Sequence, residues 1–178
     1  DTSHVFTYRY NDTTLNVTFS ELIQEQDKEM FYHTPKGIDL TKYFGRPVYA
    51  GNIGANISKA DKDIVIKKLA DKITAGLQSN EAKAQVLLQY VTTNISYSYE
   101  DLWYETEVAK RAHEVLLSGD GDCSAKTTLY ASLLEQCAIP YCLLYYKNHV
   151  NVGVRGNFAN ENGYTQKVND QQYAVAET

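Results

Sequence analysis

The chain has 178 residues, 43% of them hydrophobic and 22% charged, which is typical of one globular domain with a single buried core. Its formal net charge is −5 and its lysines are scattered rather than clustered, so the charge pattern argues against a nucleic-acid partner. No apolar run approaches the roughly 18 residues that span a bilayer, so we expect a soluble domain without a transmembrane segment.

The N-terminal third of the sequence predicts a hairpin followed by irregular structure. Residues 4–18 form two alternating runs of Tyr, Val and Phe around an Asn-Asp pair, which is typical of a β-hairpin. Residues 20–56 contain the breakers Pro-Lys-Gly and Gly-Arg-Pro, so we expect loops and short pieces there. We therefore divide the chain into a β-rich or irregular extension over residues 1–57 and a core over residues 58–178.

The core sequence predicts helices first and strands afterwards. A capping-box-like S-K-A-D begins at Ser58 and precedes a helical apolar repeat, and a second helix is predicted from about Asn80 to Thr93. The stretch 102–117 predicts a third helix, and a fourth begins near Cys123. Three strand-like runs follow, at 141–146, 149–154 and 172–177. This order favours an α+β fold over an alternating βαβ fold.

The stretch "GDGDCSAK" places a cysteine where a Gly/Asp loop gives way to a helix. With Asp122 or Asp120 as the cap, Cys123 lies at the positive end of the helix dipole, which stabilises a thiolate and lowers the thiol pKa. Gly119 and Gly121 allow a substrate to approach the backbone closely, and the N–H of Cys123 is suited to donate to an oxyanion. These features predict a reactive thiol.

Two later residues supply the partners that a nucleophilic thiol requires. In "HVNVGV" the strand alternation puts His149, Asn151 and Gly153 on a polar, roomy face and the valines toward the core. Glu177 stands at the end of a neighbouring strand, where it can accept a hydrogen bond from the His149 ring. Cysteine, histidine and acid in this order form a complete catalytic arrangement.

The residues from "EVLLSGDGDCSAK" to "NHVNVGV", followed by "YAVAET", resemble the transglutaminase-like superfamily of papain-like fold. The likeness is greatest to its microbial branch with "GDC" and a terminal "ET", and it extends from about residue 81 to residue 178. It implies a core of helices packed on a small antiparallel sheet, here with an N-terminal β-hairpin extension. It also implies that Cys123 is the nucleophile, His149 the base and Glu177 the acid.

The resemblance further implies residues that assist the nucleophile. Asp122 matches the position just before it, and an upstream side chain of the family interacts with the oxyanion. Tyr97, Trp103 and Gln89 are the candidates, and we favour Tyr97. Two departures stand out: Ala138 replaces the usual glycine of a Gly-Ile-Pro turn, and Ala125 stands where the microbial branch often has an acid.

The leading hypothesis is a thiol-dependent hydrolase of amide or peptide bonds, acting through a thioester on a protein or peptide substrate and requiring no cofactor. The first alternative is a protein-glutamine transglutaminase or another acyltransferase with the same triad. A non-catalytic protein-binding module on this fold is the second. A zinc site built from Cys123, His149 and Glu177 is the third, although their spacing is not diagnostic.

The remaining cysteines and the overall composition give weaker indications. At most Cys137 and Cys142 could form a disulfide, and we favour the interpretation that both are small buried residues. The 15 tyrosines, with abundant Asn and Thr, suit an extracytoplasmic or secreted protein. The first residue is Asp1 rather than Met, which is typical of a mature form or a cloned fragment.

Overall fold

The computed structural model describes residues 5–10, 13–18, 38–39, 53–54, 56–60, 63–98, 108–109, 111–146, 149–158 and 165–178. Within these ranges the helices are α1 (Ile64–Ile73), α2 (Asn80–Asn94), α3 (Ala112–Ser118) and α4 (Cys123–Gln136). The strands are β1 (Val5–Tyr10), β2 (Thr13–Thr18), β3 (Ile38–Asp39), β4 (Ser96–Tyr97), β5 (Val108–Ala109), β6 (Asp120–Gly121), β7 (Tyr141–Tyr146), β8 (His149–Arg155), β9 (Thr165–Val168) and β10 (Gln171–Ala176).

The main sheet has four antiparallel strands in the order β7-β8-β10-β9. Helix α4 lies against β8 and also contacts α1, α2 and α3, so it is the central helix of the core. Almost every residue of α4 is buried, including its serines and threonines. The α+β fold with helices packed on a small antiparallel sheet is therefore confirmed.

Two buried hydroxyl groups of α4 donate hydrogen bonds to neighbouring elements. The Tyr130 hydroxyl donates to the Ala84 carbonyl of α2 at 2.9 Å, and the Thr127 hydroxyl donates to the Val150 carbonyl of β8 at 3.2 Å. Such bonds fix the register between elements, because a buried polar group without a partner is costly. Helix α4 is thereby held against both α2 and β8.

The N-terminal hairpin is also present. Strands β1 and β2 pair antiparallel with Tyr10 opposite Thr13, and β1 lies against α2. Most of the stretch 20–56, for which we expected loops, lies outside the described residues. The division of the chain between residues 57 and 58 stays a prediction.

The start of α1 differs from the prediction. Asp63, not Ser58, is the N-cap, and its side chain accepts a hydrogen bond from the Ile66 N–H at 3.1 Å. The Ser58 hydroxyl instead donates to Asp63 Oδ2 at 2.8 Å, and its N–H donates to the Ser132 hydroxyl of α4 at 2.9 Å. The predicted capping box at Ser58 is therefore wrong, because that serine ties the chain to α4.

The third predicted helix is shorter than its sequence pattern indicates. Residues Val108 and Ala109 form β5, which pairs antiparallel with β3, and α3 begins only at Ala112. Pairing with a strand about 70 residues upstream overrides the local helical repeat.

The sequence analysis also missed β9, whereas α2, α4, β7 and β8 agree with the prediction within one or two residues. Among the described residues no helix has both the length and the apolar character needed to cross a bilayer.

Candidate active site

Cys123 is the first residue of α4, and Asp122 caps this helix. Asp122 Oδ1 accepts hydrogen bonds from the Ala125 N–H at 2.9 Å and from the Ser124 hydroxyl at 2.8 Å. The Asp122 side chain is buried, so these bonds are shielded from water. The predicted cap is confirmed, and the Cys123 thiol lies at the end of the helix that favours a negative charge.

The glycines before Cys123 are required by the backbone. Gly119 ends α3 with φ of +71°, a left-handed conformation that side chains disfavour. A Cβ on Gly121 would lie 2.7 Å from the Ala125 Cβ, closer than two carbons can approach. The chain can therefore enter α4 at this angle only with glycine at position 121.

Strand β4 brings Tyr97 to this entry. Strands β4 and β6 pair in parallel with Tyr97 opposite Gly121, and the N–H of Ser98 donates to the Gly121 carbonyl at 3.0 Å. Tyr97 is 40% exposed. Of the upstream candidates, Gln89 is half-buried on α2 and Trp103 lies outside the described residues. The oxyanion or substrate roles of Tyr97, Gln89, Trp103 and Asp122 stay predictions.

His149 and Glu177 lie at hydrogen-bond distance, as the strand pattern predicted. The atoms His149 Nε2 and Glu177 Oε2 are 3.2 Å apart. An ionised carboxylate can only accept, so Nε2 carries the proton in this bond and Nδ1 is the ring nitrogen left for another partner. Their side chains are 41% and 71% exposed, so water reaches both.

Cys123 is joined to the His149 strand through apolar packing. The thiol side chain packs against a small buried cluster formed by Ile53 and Val150, and Val150 follows His149 in β8. The hydrogen bond between Thr127 and the Val150 carbonyl ties the next turn of α4 to the same point. The start of α4 and the start of β8 are thus neighbours in the fold.

Tyr146 lies on the same pair of strands as the histidine. It stands opposite His149 in the β7–β8 ladder, and the two rings are stacked with centroids 6.4 Å apart and an interplanar angle of 24°. Tyr146 is 49% exposed. It therefore presents an aromatic surface to solvent beside the imidazole, a contact that the sequence reading did not anticipate.

Asn151 is a second residue whose part in the site the sequence did not reveal. Its Nδ2 donates to Glu177 Oε1 at 2.7 Å, and the residue is only 2% exposed. The alternation had put Asn151 on the face of His149, which was the available signal. That face is not roomy, because a Cβ on Gly153 would lie 2.9 Å from Cys142 Sγ. The predicted roomy face of β8 is therefore wrong at Asn151 and Gly153, whereas His149 on the same face is exposed.

The other cysteines are free and half-buried, so no disulfide joins Cys137 to Cys142. Burial raises the pKa of both thiols. Among the described residues, no three His, Cys, Asp or Glu side chains lie close enough to hold a metal ion. Because Cys123, His149 and Glu177 are all described, their positions give the zinc-site alternative no support.

An apolar cavity of about 140 Å³ lies between α2 and the sheet, away from the Cys123 thiol. It is lined by Ala84, Gln85, Leu88, Tyr130, Val154, Phe158, Thr165, Ala174, Val175 and Ala176. The cavity therefore does not include the three predicted catalytic residues, and we do not assign it to their chemistry.

Comparison with known proteins identifies the family. A model of the transglutaminase-like superfamily, a group of thiol-dependent enzymes, matches residues 67–174, more than half of the chain. No curated protein matches. The chain is also similar to a crystal structure from Cytophaga hutchinsonii, provisionally described as a cysteine protease, with 17% identity and a TM-score of 0.47. That similarity covers 79% of this chain and 48% of the other, so this chain spans about half of its length.

Proposed function

Because this chain belongs to the transglutaminase-like superfamily, we propose that it is a cysteine hydrolase of amide or peptide bonds that uses a Cys123-His149-Glu177 triad. The observation that carries the proposal is the bond between His149 Nε2 and Glu177 Oε2, beside the helix that begins at Cys123. The substrate we propose is a protein or a peptide.

In the first step the Cys123 thiolate attacks the carbonyl carbon of the scissile amide. His149 takes the thiol proton at Nδ1 and delivers it to the leaving nitrogen, so the C–N bond breaks and a thioester forms. Glu177 holds the Nε2 proton, which selects this tautomer and stabilises the imidazolium. Cys123 and Glu177 thus interact with different nitrogens of the His149 ring, Cys123 with Nδ1 and Glu177 with Nε2.

The oxyanion of each tetrahedral intermediate requires hydrogen-bond donors. The first-turn N–H groups of a helix point along its axis past its first residue, so we assign the Cys123 N–H as one donor. We assign the Tyr97 hydroxyl as the second, which its pairing opposite Gly121 supports. Asp122 accepts the hydrogen bonds that cap the helix, and an ionised carboxylate has no proton to donate. We therefore assign Asp122 no donor role toward the oxyanion.

Water completes the cycle by attacking the thioester while His149 removes its proton. The exposure of His149 and Glu177 supports hydrolysis over transfer to an amine, because an acyltransferase must keep water from its thioester. The Cys123 thiolate is then the leaving group, and the carboxylic acid product dissociates.

The test uses p-nitrophenyl acetate, an activated ester that acylates a nucleophile without requiring a peptide sequence. We expect a burst of p-nitrophenol and an acetyl group on Cys123, located by peptide mass mapping. Cys123→Ala should abolish the burst, whereas Cys137→Ala should retain it. Acetylation of other residues alone, or an undiminished burst in Cys123→Ala, would contradict the proposal.

Added n-butylamine separates hydrolysis from acyl transfer. A hydrolase releases acetate at a rate that the amine leaves nearly unchanged. Formation of N-butylacetamide as the main product, at amine concentrations far below that of water, would instead assign the chain as an acyltransferase.

A further inference from the structure

A buried amide supports the exposed acid of the triad. Asn151 lies two residues after His149 on β8, so both side chains project from the same face of the strand. Asn151 is 2% exposed, whereas the Glu177 side chain is 71% exposed and follows the last residue of β10. A fixed donor thus meets a carboxylate that has access to solvent.

The two oxygens of the Glu177 carboxylate have different hydrogen-bond partners. Asn151 Nδ2 donates to Oε1 at 2.7 Å, and His149 Nε2 lies 3.2 Å from Oε2. An exposed glutamate side chain has several rotamers, and ordering it has an entropic cost. Because Asn151 is held by burial within β8, its bond to Oε1 restricts Glu177 to the rotamer in which Oε2 faces the imidazole.

We propose that Asn151 is a positioning residue, which orients Glu177 toward His149 Nε2 and so sets the tautomer that leaves Nδ1 for Cys123. This inference rests on the proposed triad. It adds a fourth member that contacts neither substrate nor the reacting atoms and acts only through the carboxylate.

Stability alone gives no reason for an amide at this position. The Asn151 Oδ1 atom is buried and has no hydrogen-bond partner among the described residues. A buried acceptor without a donor lowers stability, and Leu144, which stands opposite Asn151 in the β7–β8 ladder, is a buried apolar residue. An apolar residue would fit this interior better, so the Nδ2 donor to Glu177 is the gain that the amide provides.

The test is a double-mutant cycle on the rate at which iodoacetamide alkylates Cys123 at pH 6.5, with Asn151→Ala, Glu177→Ala and the double variant. Asn151→Ala should slow alkylation about tenfold, since hydrogen bonds to charged groups have effects of this size. In the Glu177→Ala background it should have no further effect. An equal slowing in both backgrounds, or none in the wild type, overturns the inference.

Gln136→Ala is the matched control. Gln136 is also a buried amide with an Oε1 atom that lacks a partner among the described residues, and its Nε2 donates to the Ser58 carbonyl at 3.0 Å. It lies at the other end of α4, about 20 Å along the axis. Its removal should leave Cys123 alkylation unchanged even if it lowers the melting temperature.

His149→Ala separates failure of the triad from failure of this inference. If it leaves Cys123 alkylation unchanged, the proposed function fails. If His149→Ala and Glu177→Ala both slow the reaction but Asn151→Ala does not, only the role of Asn151 fails.

A second readout applies if Asn151→Ala does not fold. Asn151→Leu keeps a side chain of similar size but removes the donor, and ¹⁵N chemical shifts report which ring nitrogen of His149 carries the proton. We expect the wild type to be protonated at Nε2 in the neutral form and the variant to gain the Nδ1–H tautomer. An unchanged tautomer in the folded variant overturns the inference.

Discussion

Helix α4 carries a cysteine at each end, and the two ends differ in construction. At the start, Cys123 follows the buried cap Asp122 and a glycine that no larger residue can replace without a clash. At the end, Cys137 is the C-cap, and Ala138 adopts a left-handed φ of +54°. At the first end glycines provide the backbone geometry that the chain requires. At the second end Ala138, which has a Cβ, adopts a left-handed backbone conformation that a side chain disfavours.

The comparison explains why only one of the two thiols is a candidate nucleophile. Cys123 lies at the positive end of the helix dipole, next to the His149 strand. Cys137 lies at the negative end, and burial raises the pKa of its thiol. The end of the helix at which a cysteine lies therefore predicts whether its thiol reacts.

The largest expected effect is the difference in alkylation between these two thiols. At pH 7 we expect iodoacetamide to modify Cys123 at least about tenfold faster than Cys137, because burial both raises the pKa of the Cys137 thiol and limits access to it. Cys142 should react slowly too, because burial also raises the pKa of its thiol. Peptide mass mapping measures all three rates.

The control for this prediction is the protein unfolded in guanidinium chloride, where the three thiols should react at similar rates. In the folded protein the difference in alkylation rate between Cys123 and the other two cysteines should become smaller as the pH rises, because Cys137 and Cys142 then ionise. Faster alkylation of Cys137 than of Cys123 at pH 7 would reverse the comparison.

Adding a methyl group at the start of α4 should have the next largest effect. Gly121→Ala forces its Cβ against Ala125, and overpacking of this kind lowers the free energy of unfolding by about 1–3 kcal/mol. Thermal unfolding followed by circular dichroism measures the loss, at about 2–4 °C per kcal/mol. Gly54→Ala is the matched control, because its Cβ would meet no atom within 4 Å. Equal losses in the two variants would show that the close approach is unimportant.

Removal of the cap should have a somewhat smaller effect. Asp122→Ala deletes the acceptor of two hydrogen bonds and should lower the free energy of unfolding by about 1–2 kcal/mol, measured by urea denaturation. Asp122→Asn keeps an oxygen at the same position and should recover most of the loss. If Asn and Ala are equally destabilising, charge rather than capping holds the start of α4.

The smallest effect is a gain of stability at the other end. Ala138 donates its N–H to the Glu135 carbonyl and Ile139 donates to the Leu134 carbonyl, the pattern of a Schellman motif that favours glycine. Ala138→Gly should therefore raise the free energy of unfolding by about 0.5–1 kcal/mol in a thermal melt. Ala131→Gly, in the middle of α4, should lower it by about 1 kcal/mol or more. A loss in both variants would mean that position 138 carries no strain.

Local patterns predicted much of the fold because their interactions span few residues. The hairpin, α2 and α4 follow from turn residues, caps and apolar repeats, and Asp122 reaches a donor only three positions away. The sequence also marked Ala138 as a departure from the usual glycine of the family, but only the structure shows its positive φ.

The mistakes occurred where distant parts of the chain decide the outcome. Val108 and Ala109 carry a helical repeat but pair with β3, and Ser58 resembles a cap but bonds to α4. Asn151 was assigned to a roomy polar face although packing buries it. Local propensity is weaker than a tertiary contact in each case, so sequence periodicity alone could not show the difference.

By itself the sequence determined that Cys123 begins a capped helix, because the capping bonds to Asp122 come from residues only two to four positions away. It also determined that His149 begins a strand and that an acid stands at the end of another strand. Only the tertiary structure decided that Glu177 meets His149 with one oxygen and Asn151 with the other. These contacts join positions 26 and 28 residues apart, and they exist because β10 pairs beside β8 in the sheet.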